Sequence, residues 1–489
     1  MKDGGSPGKD DVMPALGFLA KERSIAPPGY NRWLVPPAAL AIHLSIGQVY
    51  AYSVFKVPLT RVYGITHPAP NDWSQEKIAF MFSIAIAVLG ISAAMFGRWL
   101  ERVGPRMAMF VAACCFGGGF LIAALGVRAH QLWLLYVGYG IVGGVGLGLG
   151  YLAPVATLIR WFPDRPGLAT GLAIMGFGGG GMIGSPLAIR LMQHFRSPAS
   201  VGATQAMVCM GIIYFIFMMY GVIMVRIPAP DWRPQGWAPR PKPAGLITTR
   251  NVPGKLALRT PQFWLLWLIL CTNTTAGIGI LEQASPMIQE MFRGHVLEVA
   301  AGGFVGLLSL FNMLGRFFWS TTSDYIGRKP TFMIFFLLGI VLYGLLPSSG
   351  ANHLDSIALF VAISVVLLSM YGGGFATMPA YVRDLFGGRD FSPIYGRLLT
   401  AWSVAGVAGP FLVNSIRSNR IGHGIEPTAA YATVLYVMAA ILVIGLISNL
   451  LIRPVREGYY ASEMPDPKSP GAPERTVSPV AGGAGSTQP

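Results

Sequence analysis

Arg316 and Asn312 stand one helical turn apart inside an apolar run, and they form the strongest candidate for chemistry in this chain. Residues four apart share a helix face. A guanidinium holds a carboxylate through two parallel charge-assisted hydrogen bonds, which an ammonium cannot reproduce. Arg316 precedes Asp324, the first residue of a charged turn, by eight positions. At about 1.5 Å per residue it therefore lies about 12 Å from the helix end. The hydrocarbon core of a bilayer is about 30 Å thick, so Arg316 is near the middle of it. A charge at such depth costs several kcal/mol and marks a functional site by default. Three readings stand open: snorkelling to the membrane surface, neutralising a structural partner, or holding an anion. Snorkelling is stretched at about 12 Å. Ser309 and Ser320 extend the polar stripe, as a cavity lining or as bonds to neighbouring helices.

Other polar groups reach comparable depth. Tyr151 lies ten residues, or about 15 Å, in from Trp161. Tyr371 is about as deep, and Tyr50 lies in the outer half of the first span. Each is either a packing residue or a wall of the site, since a phenol at mid-membrane needs a hydrogen-bond partner. Glu282 and His43 are the candidates for moving a proton. Arg383 and Arg397 sit near helix ends as interfacial or gate charges. The four cysteines, Cys114, Cys115, Cys209 and Cys271, lie in apolar runs without metal-ligand spacing and read as small buried hydrophobes. No metal cluster, nucleophile with its base, or carboxylate dyad is evident, so the sequence indicates neither an enzyme nor a cofactor or metal site.

The elements that must position these residues are set by composition. The chain has 489 residues, 53% hydrophobic and only 12% charged, and its mean hydropathy is +0.54. A soluble domain carries about 25% charged residues. The deficit, with repeated apolar runs of roughly twenty residues, indicates a polytopic membrane protein. Spans are expected near 34–60, 76–99, 106–127, 131–158, 166–192, 204–225, 262–289, 298–319, 331–347, 355–382, 395–416 and 429–452. The predicted class is all-α, with twelve transmembrane helices in two six-helix bundles, 33–226 and 259–455. Residues 1–32 form a polar tail without a cleavable signal peptide. Residues 227–258 are a basic linker, and residues 456–489 a disordered tail rich in Pro, Gly and Ser.

The net charge of +15 sits in loops, which argues against nucleic acid. One set of loops holds Arg98, Arg102, Arg106, Arg160, Arg165, the linker, Arg328, Lys329, Arg453 and Arg456. The positive-inside rule makes that set, with both termini, cytoplasmic.

The halves echo each other. Gly97, Glu101, Gly104 and Arg106 end the second span. Ser320, Asp324, Gly327, Arg328 and Lys329 end the eighth, 223 positions later. A small residue, an acid four later, a glycine three later and then basic residues recur at matching places, which indicates an internal repeat of the transporter kind. The acids and their basic neighbours are expected to tie the helix ends together. The repeat leaves Ala93 at the place of Arg316, so Arg316 is not part of the repeated framework. Glycines spaced by four, Gly140, Gly144 and Gly148, and the run Gly176–Gly184 read as close helix packing.

With these residues in view the chain resembles the major facilitator superfamily over nearly all of residues 30–455. Within it, the chain is similar to the oxalate/formate antiporters and their monocarboxylate-transporter relatives. The carrying stretches are Tyr50–Phe55, Tyr139–Tyr151 and Arg160–Leu172. The resemblance implies that the eighth-helix arginine, Arg316, binds a carboxylate and that Tyr50, Tyr151 and Tyr371 wall the cavity. Animal monocarboxylate transporters pair an aspartate with that arginine; Asn312 stands there instead and cannot take up a proton. Oxalate-transporting members carry a lysine in the eleventh helix where this chain has Trp402. One cavity cation matches one carboxylate, since a second buried anion would stay unpaired. The expected substrate is a monocarboxylate such as formate, lactate or pyruvate, moved by exchange or proton symport by a monomer in the cytoplasmic membrane. The rivals are oxalate, a larger or aromatic acid stacking on Trp402, and a non-transporting anion sensor.

Overall fold

The computed structural model describes residues 17–238, 245–292, 295–296, 298–350 and 354–460. Most of the tails, part of the linker and the side chain of Glu282 lie outside the described residues. Within them, twelve helices are long and apolar enough to cross a membrane. They are α1 Arg32–Ala51, α2 Gln75–Val103, α3 Pro105–Arg128, α4 Leu132–Trp161, α5 Pro166–His194 and α6 Ala203–Met224 in the first half. The second half holds α7 Pro261–Leu281, α8 Ala300–Ile326, α9 Arg328–Ser349, α10 Ile357–Phe386, α11 Phe391–Gly422 and α12 Pro427–Leu451. Large apolar side chains such as Leu125, Ile216, Leu337 and Ile444 are exposed on the outside of the bundle, as a lipid-facing surface requires.

The pairing of helices repeats with an offset of six. In the first half α1 packs on α5 and α6, α2 on α4, and α3 on α6. In the second, α7 packs on α11 and α12, α8 on α10, and α9 on α12. The halves meet along α2 with α11 and along α5 with α8, a seam that obeys the same symmetry. Glycines make the seam close. A Cβ on Gly97 would lie 2.7 Å from the Ser392 carbonyl oxygen, and one on Gly178 would lie 3.0 Å from Met313 Cα. The runs Gly140–Gly148 and Gly176–Gly184 thus serve close helix approach.

Three helices are interrupted, two of them at or near candidate site residues. The first span is not one continuous helix. It is α-helical over Val35–Ile46, tightens to a 3-10 turn over Gly47–Ala51, and resumes over Ser53–Leu59. Tyr50 lies in that tight turn. Helix α4 widens to a π segment over Tyr136–Val142, a geometry that often marks functional positions. Helix α11 is interrupted at Leu399, three residues before Trp402.

The two echoed turns share one conformation. Gly104 has φ 86° and Gly327 has φ 91°, values that glycine tolerates and side chains do not. Each glycine ends one helix and caps the next. The cysteines differ from expectation. All four are free, Cys114 is exposed and the other three are half-buried, because the lipid-facing side of an apolar span is as hydrophobic as its core.

Candidate functional site

The guanidinium of Arg316 is fully enclosed, with 0% of the residue exposed. Nε donates to Asn312 Oδ1 at 3.0 Å, and Nη1 donates to the Ile174 carbonyl at 3.4 Å. Nη2 has no partner. The guanidinium carbon lies 5.6 Å from the Phe177 ring centre and 5.4 Å from that of Phe375, both within cation–π range. No carboxylate among the described residues pairs with it. A buried cation with an idle donor is expensive, and it is equipped to receive an anion.

The helices deliver this arrangement in a specific way. Helix α8 brings Arg316 to the seam against α5, where Gly178 leaves the space. A Cβ on Gly178 would stand 3.0 Å from Arg316 Nε. Gly180 of the same run lies against Gly47 of α1, and Gly181 against Tyr50. One side-chain-free strip of α5 therefore seats α1 and α8 together. Phe177, the large residue inside that strip, contacts Tyr50 at 5.2 Å, Tyr151 at 5.5 Å and Trp402 at 5.2 Å between ring centres.

The structure brings Asn312, Tyr151, Tyr50, Tyr371 and Trp402 into one cluster around Arg316. Trp402 is fully buried and touches Phe375 at 4.5 Å and Tyr151 at 5.2 Å. The Tyr50 and Tyr371 hydroxyls meet at 3.1 Å across the seam. His43 is fully buried, with its ring 5.3 Å from that of Tyr151, and neither ring nitrogen has a hydrogen-bond partner. Glu282 sits on the continuation of α7, whose helix runs to Met291; its side chain lies outside the described residues.

Three members of the cluster were not singled out from the sequence: Phe177, Phe375 and Tyr395. Tyr395 is fully buried, and its ring centre is 6.5 Å from that of Tyr151. The usable signals were a phenylalanine isolated among glycines and an aromatic one turn after Tyr371.

A second set of polar contacts closes the seam at the end that bears the linker. Asp324 accepts from the backbone N–H groups of Gly167 at 2.8 Å and Leu168 at 2.9 Å, so it sits on the N-terminus of α5, where a negative charge is favoured. It also accepts from Arg328 Nη2 at 2.6 Å, and Arg328 Nε donates to Asp384 at 3.0 Å. Glu101 accepts from Arg160 and from the Ser392 hydroxyl across the seam. Arg383 donates to the Pro163 carbonyl at 3.2 Å, and Thr170 to the Ala376 carbonyl at 2.6 Å, again between halves. Arg397 donates to the linker carbonyl of Gly254 at 2.8 Å.

Two basic residues of the echoed turns do not join this closure as expected. Arg106 donates to the carbonyls of Phe18, Arg23 and Val225 at 3.0–3.1 Å, which fastens the segment before α1 to the end of α6. Lys329 donates to the carbonyls of Leu450 and Ile452, both at 2.9 Å. Both saturate helix-end carbonyls of their own half, so the acids carry the contact between halves.

The stretch Arg160–Gly167 is a hub of that end. Trp161 Nε1 donates to the Arg226 carbonyl at 2.8 Å, and Asp164 holds Arg32 through two bonds at 2.7 and 3.0 Å. Burial pushes the Asp164 carboxyl up, but the Arg32 guanidinium and the Arg165 charge outweigh it and hold the carboxyl below its usual range.

The described protein is closed at the linker end by the contacts of Asp324, Glu101, Arg383 and Thr170 between halves. Deeper bonds between the halves join the Ser403 hydroxyl to the Ala87 carbonyl at 2.8 Å and Tyr50 to Tyr371. Gly302, Gly303 and Gly306 of α8 have nothing within 4 Å of a Cβ.

Comparisons with known proteins agree with this geometry. Residues 38–351 match the family model described as Major Facilitator Superfamily. The chain is 27% identical over 393 residues to the oxalate:formate antiporter of Oxalobacter formigenes, covering 80% of this chain and 86% of that protein. It is 24% identical over 426 residues to the apicoplast pyruvate carrier 1 of Toxoplasma gondii, covering 76% and 75%. The solved structure of the proton:xylose symporter XylE bound to 6-bromo-6-deoxy-D-glucose superposes with a TM-score of 0.63 at 14% identity, over 86% of this chain and 94% of that one. That likeness speaks to the fold.

Proposed function

The chain belongs to the Major Facilitator Superfamily, and on that premise we propose that it carries a small organic monocarboxylate across the cytoplasmic membrane by alternating access. The observation that carries the reading is the enclosed Arg316, whose Nη2 has no partner and whose charge meets no carboxylate among the described residues. A short carboxylate would satisfy both deficits through a forked pair of bonds. Tyr50, Tyr151, Tyr371 and Trp402 would wall it, and Asn312 would orient the guanidinium. The relatives described above are named for oxalate, formate and pyruvate, of which formate and pyruvate are monocarboxylates and oxalate is a dicarboxylate.

Arg316 is the permanent cation of the cluster among the described residues, which favours one carboxylate over two. We read the linker end as cytoplasmic, following the excess of Arg and Lys in its loops. Asp324 and Glu101 would then hold the cytoplasmic side shut until substrate binding offsets their bonds. His43 and Glu282 are the candidate groups for proton coupling, should transport be symport rather than exchange.

The test is uptake of radiolabelled pyruvate and formate by purified protein in liposomes. The wild type should exchange them, whereas Arg316→Ala and Arg316→Lys, at equal incorporation, should lose at least about tenfold, since a buried charge-assisted pair is worth more than ~1.4 kcal/mol. Full exchange by both variants would refute the carboxylate clamp.

A further inference from the structure

The polar groups of the cluster divide into two poles. One is Arg316. The other is neutral: Trp402 Nε1 lacks a hydrogen-bond partner, the Tyr395 and Tyr151 hydroxyls face only each other, and all three residues are fully buried. They are contiguous, since Tyr151 touches both Trp402 at 5.2 Å and Tyr395 at 6.5 Å. Trp402 and Arg316 lie against the same two rings, Phe177 and Phe375. The two poles therefore border the same two rings and belong to one cage.

An indole N–H only donates, and a phenol donates readily. A buried donor left idle is costly, and an acceptor brought beside it by a ligand would relieve that cost. The indole N–H and the one O–H that the phenol pair leaves free are neutral donors, which suit an acceptor that carries partial rather than full negative charge. A second carboxylate would bring two negative charges against one guanidinium, whereas a carbonyl oxygen would not.

We propose that Trp402, Tyr395 and Tyr151 form a second subsite that receives the 2-oxo oxygen of a short 2-oxo monocarboxylate whose carboxylate lies on Arg316. This rests on the carboxylate reading above and adds the substrate subclass to it. Trp402 is then a specificity-determining residue, and Tyr395 joins the site.

Pyruvate and propionate separate the two claims, because they have the same carbon skeleton and differ in the oxo group. Binding is read as the thermal shift of purified protein over a titration of each acid. The wild type should bind pyruvate about tenfold more tightly than propionate, the worth of one good hydrogen bond, and oxalate more weakly than pyruvate. Trp402→Phe keeps the ring and removes the N–H; it should cut that preference to about twofold or less by weakening pyruvate alone. Tyr395→Phe, the milder change, should lower it in the same direction. Retained propionate binding shows that each variant is folded with its Arg316 pole intact.

Equal affinity of the wild type for pyruvate and propionate overturns the second subsite and leaves the clamp standing. So does an equal loss of both acids in Trp402→Phe, or tighter binding of oxalate than of pyruvate. Failure of the wild type to bind either acid overturns the clamp and this inference together.

Discussion

The hydroxyls of Tyr50 and Tyr371 stand 3.1 Å apart and bond α1 to α10 across the seam between the two halves. Both rings adjoin the phenylalanines that flank Arg316. A neutral hydrogen bond contributes about 0.5–1.5 kcal/mol net. Tyr50→Phe and Tyr371→Phe should each weaken this contact between the halves by that amount and change the rate of pyruvate counterflow in liposomes up to about tenfold. The double variant should match the singles, because both remove one bond. Additive effects of the two would show that the hydroxyls act separately.

Much of this arrangement was legible in the sequence because the relevant forces act over short stretches. Hydropathy over roughly twenty residues sets a membrane span, so the twelve helices follow from composition. A glycine three residues after an acid at the end of a span signals a left-handed turn, and Gly104 and Gly327 both adopt one. Asn312 and Arg316 meet because four residues make a turn. Contacts set by tertiary placement were not legible. Phe177, Phe375 and Tyr395 look like any aromatic in an apolar helix until α5, α8, α10 and α11 converge. The partners of Arg106 and Lys329 are backbone carbonyls far along the chain, and carbonyls carry no sequence signature. The 3-10 turn that places Tyr50 is likewise hidden, since Gly47 yields to a close approach of Phe177.

The Asp324 carboxylate is the main polar tie between halves at the linker end. It accepts two backbone N–H groups of α5 and the Arg328 guanidinium, and bonds of this kind are worth about 1.5–3 kcal/mol each. Asp324→Asn keeps one carbonyl acceptor and loses the charge. The equilibrium should shift toward opening at the linker end. Thr170 is buried beside this contact, so a Thr170→Cys reporter in a background with the four native cysteines changed to alanine should react with a permeant maleimide at least about tenfold faster when Asp324→Asn is added. An unchanged labelling rate would remove Asp324 from the closure.

Gly178 and Gly302 make a matched comparison. A Cβ on Gly178 would press at 3.0 Å on both Arg316 Nε and Met313 Cα, whereas one on Gly302 would meet nothing within 4 Å. Overpacking of a tight seam costs about 1–3 kcal/mol, and here the strain falls on the guanidinium itself. Gly178→Ala should raise the KM for pyruvate about tenfold or more at unchanged protein yield. Gly302→Ala should leave KM as it is, since alanine in an open helix position is only a better helix former. Equal KM values for the two variants would mean that the α5–α8 approach does not set the position of Arg316.

Asn312 accepts the Arg316 Nε–H at 3.0 Å without competing for its charge, and this neutral partner is what leaves the guanidinium available to an anion. Asn312→Asp keeps the size and the acceptor but adds a carboxylate beside the cation. Ionised, that carboxylate pairs with Arg316, and a substrate must displace it. Protonated, it resembles the native amide oxygen and leaves the fork free. Substrate affinity in the variant should therefore rise as pH falls, while the wild type, with no titrating group at this position, should change far less. The comparison belongs in detergent without a proton gradient, as the thermal shift caused by pyruvate at pH 8 and at pH 5.5, so that driving force does not enter. The expected result is a pyruvate affinity at pH 8 at least about tenfold below that of the wild type, since one opposing charge in a dry site exceeds ~1.4 kcal/mol, with recovery toward the wild-type value at pH 5.5. A variant whose affinity is low and flat across that range would show that the added carboxylate distorts the site rather than competing for Arg316. One that binds as the wild type does at pH 8 would show that the substrate does not use this guanidinium.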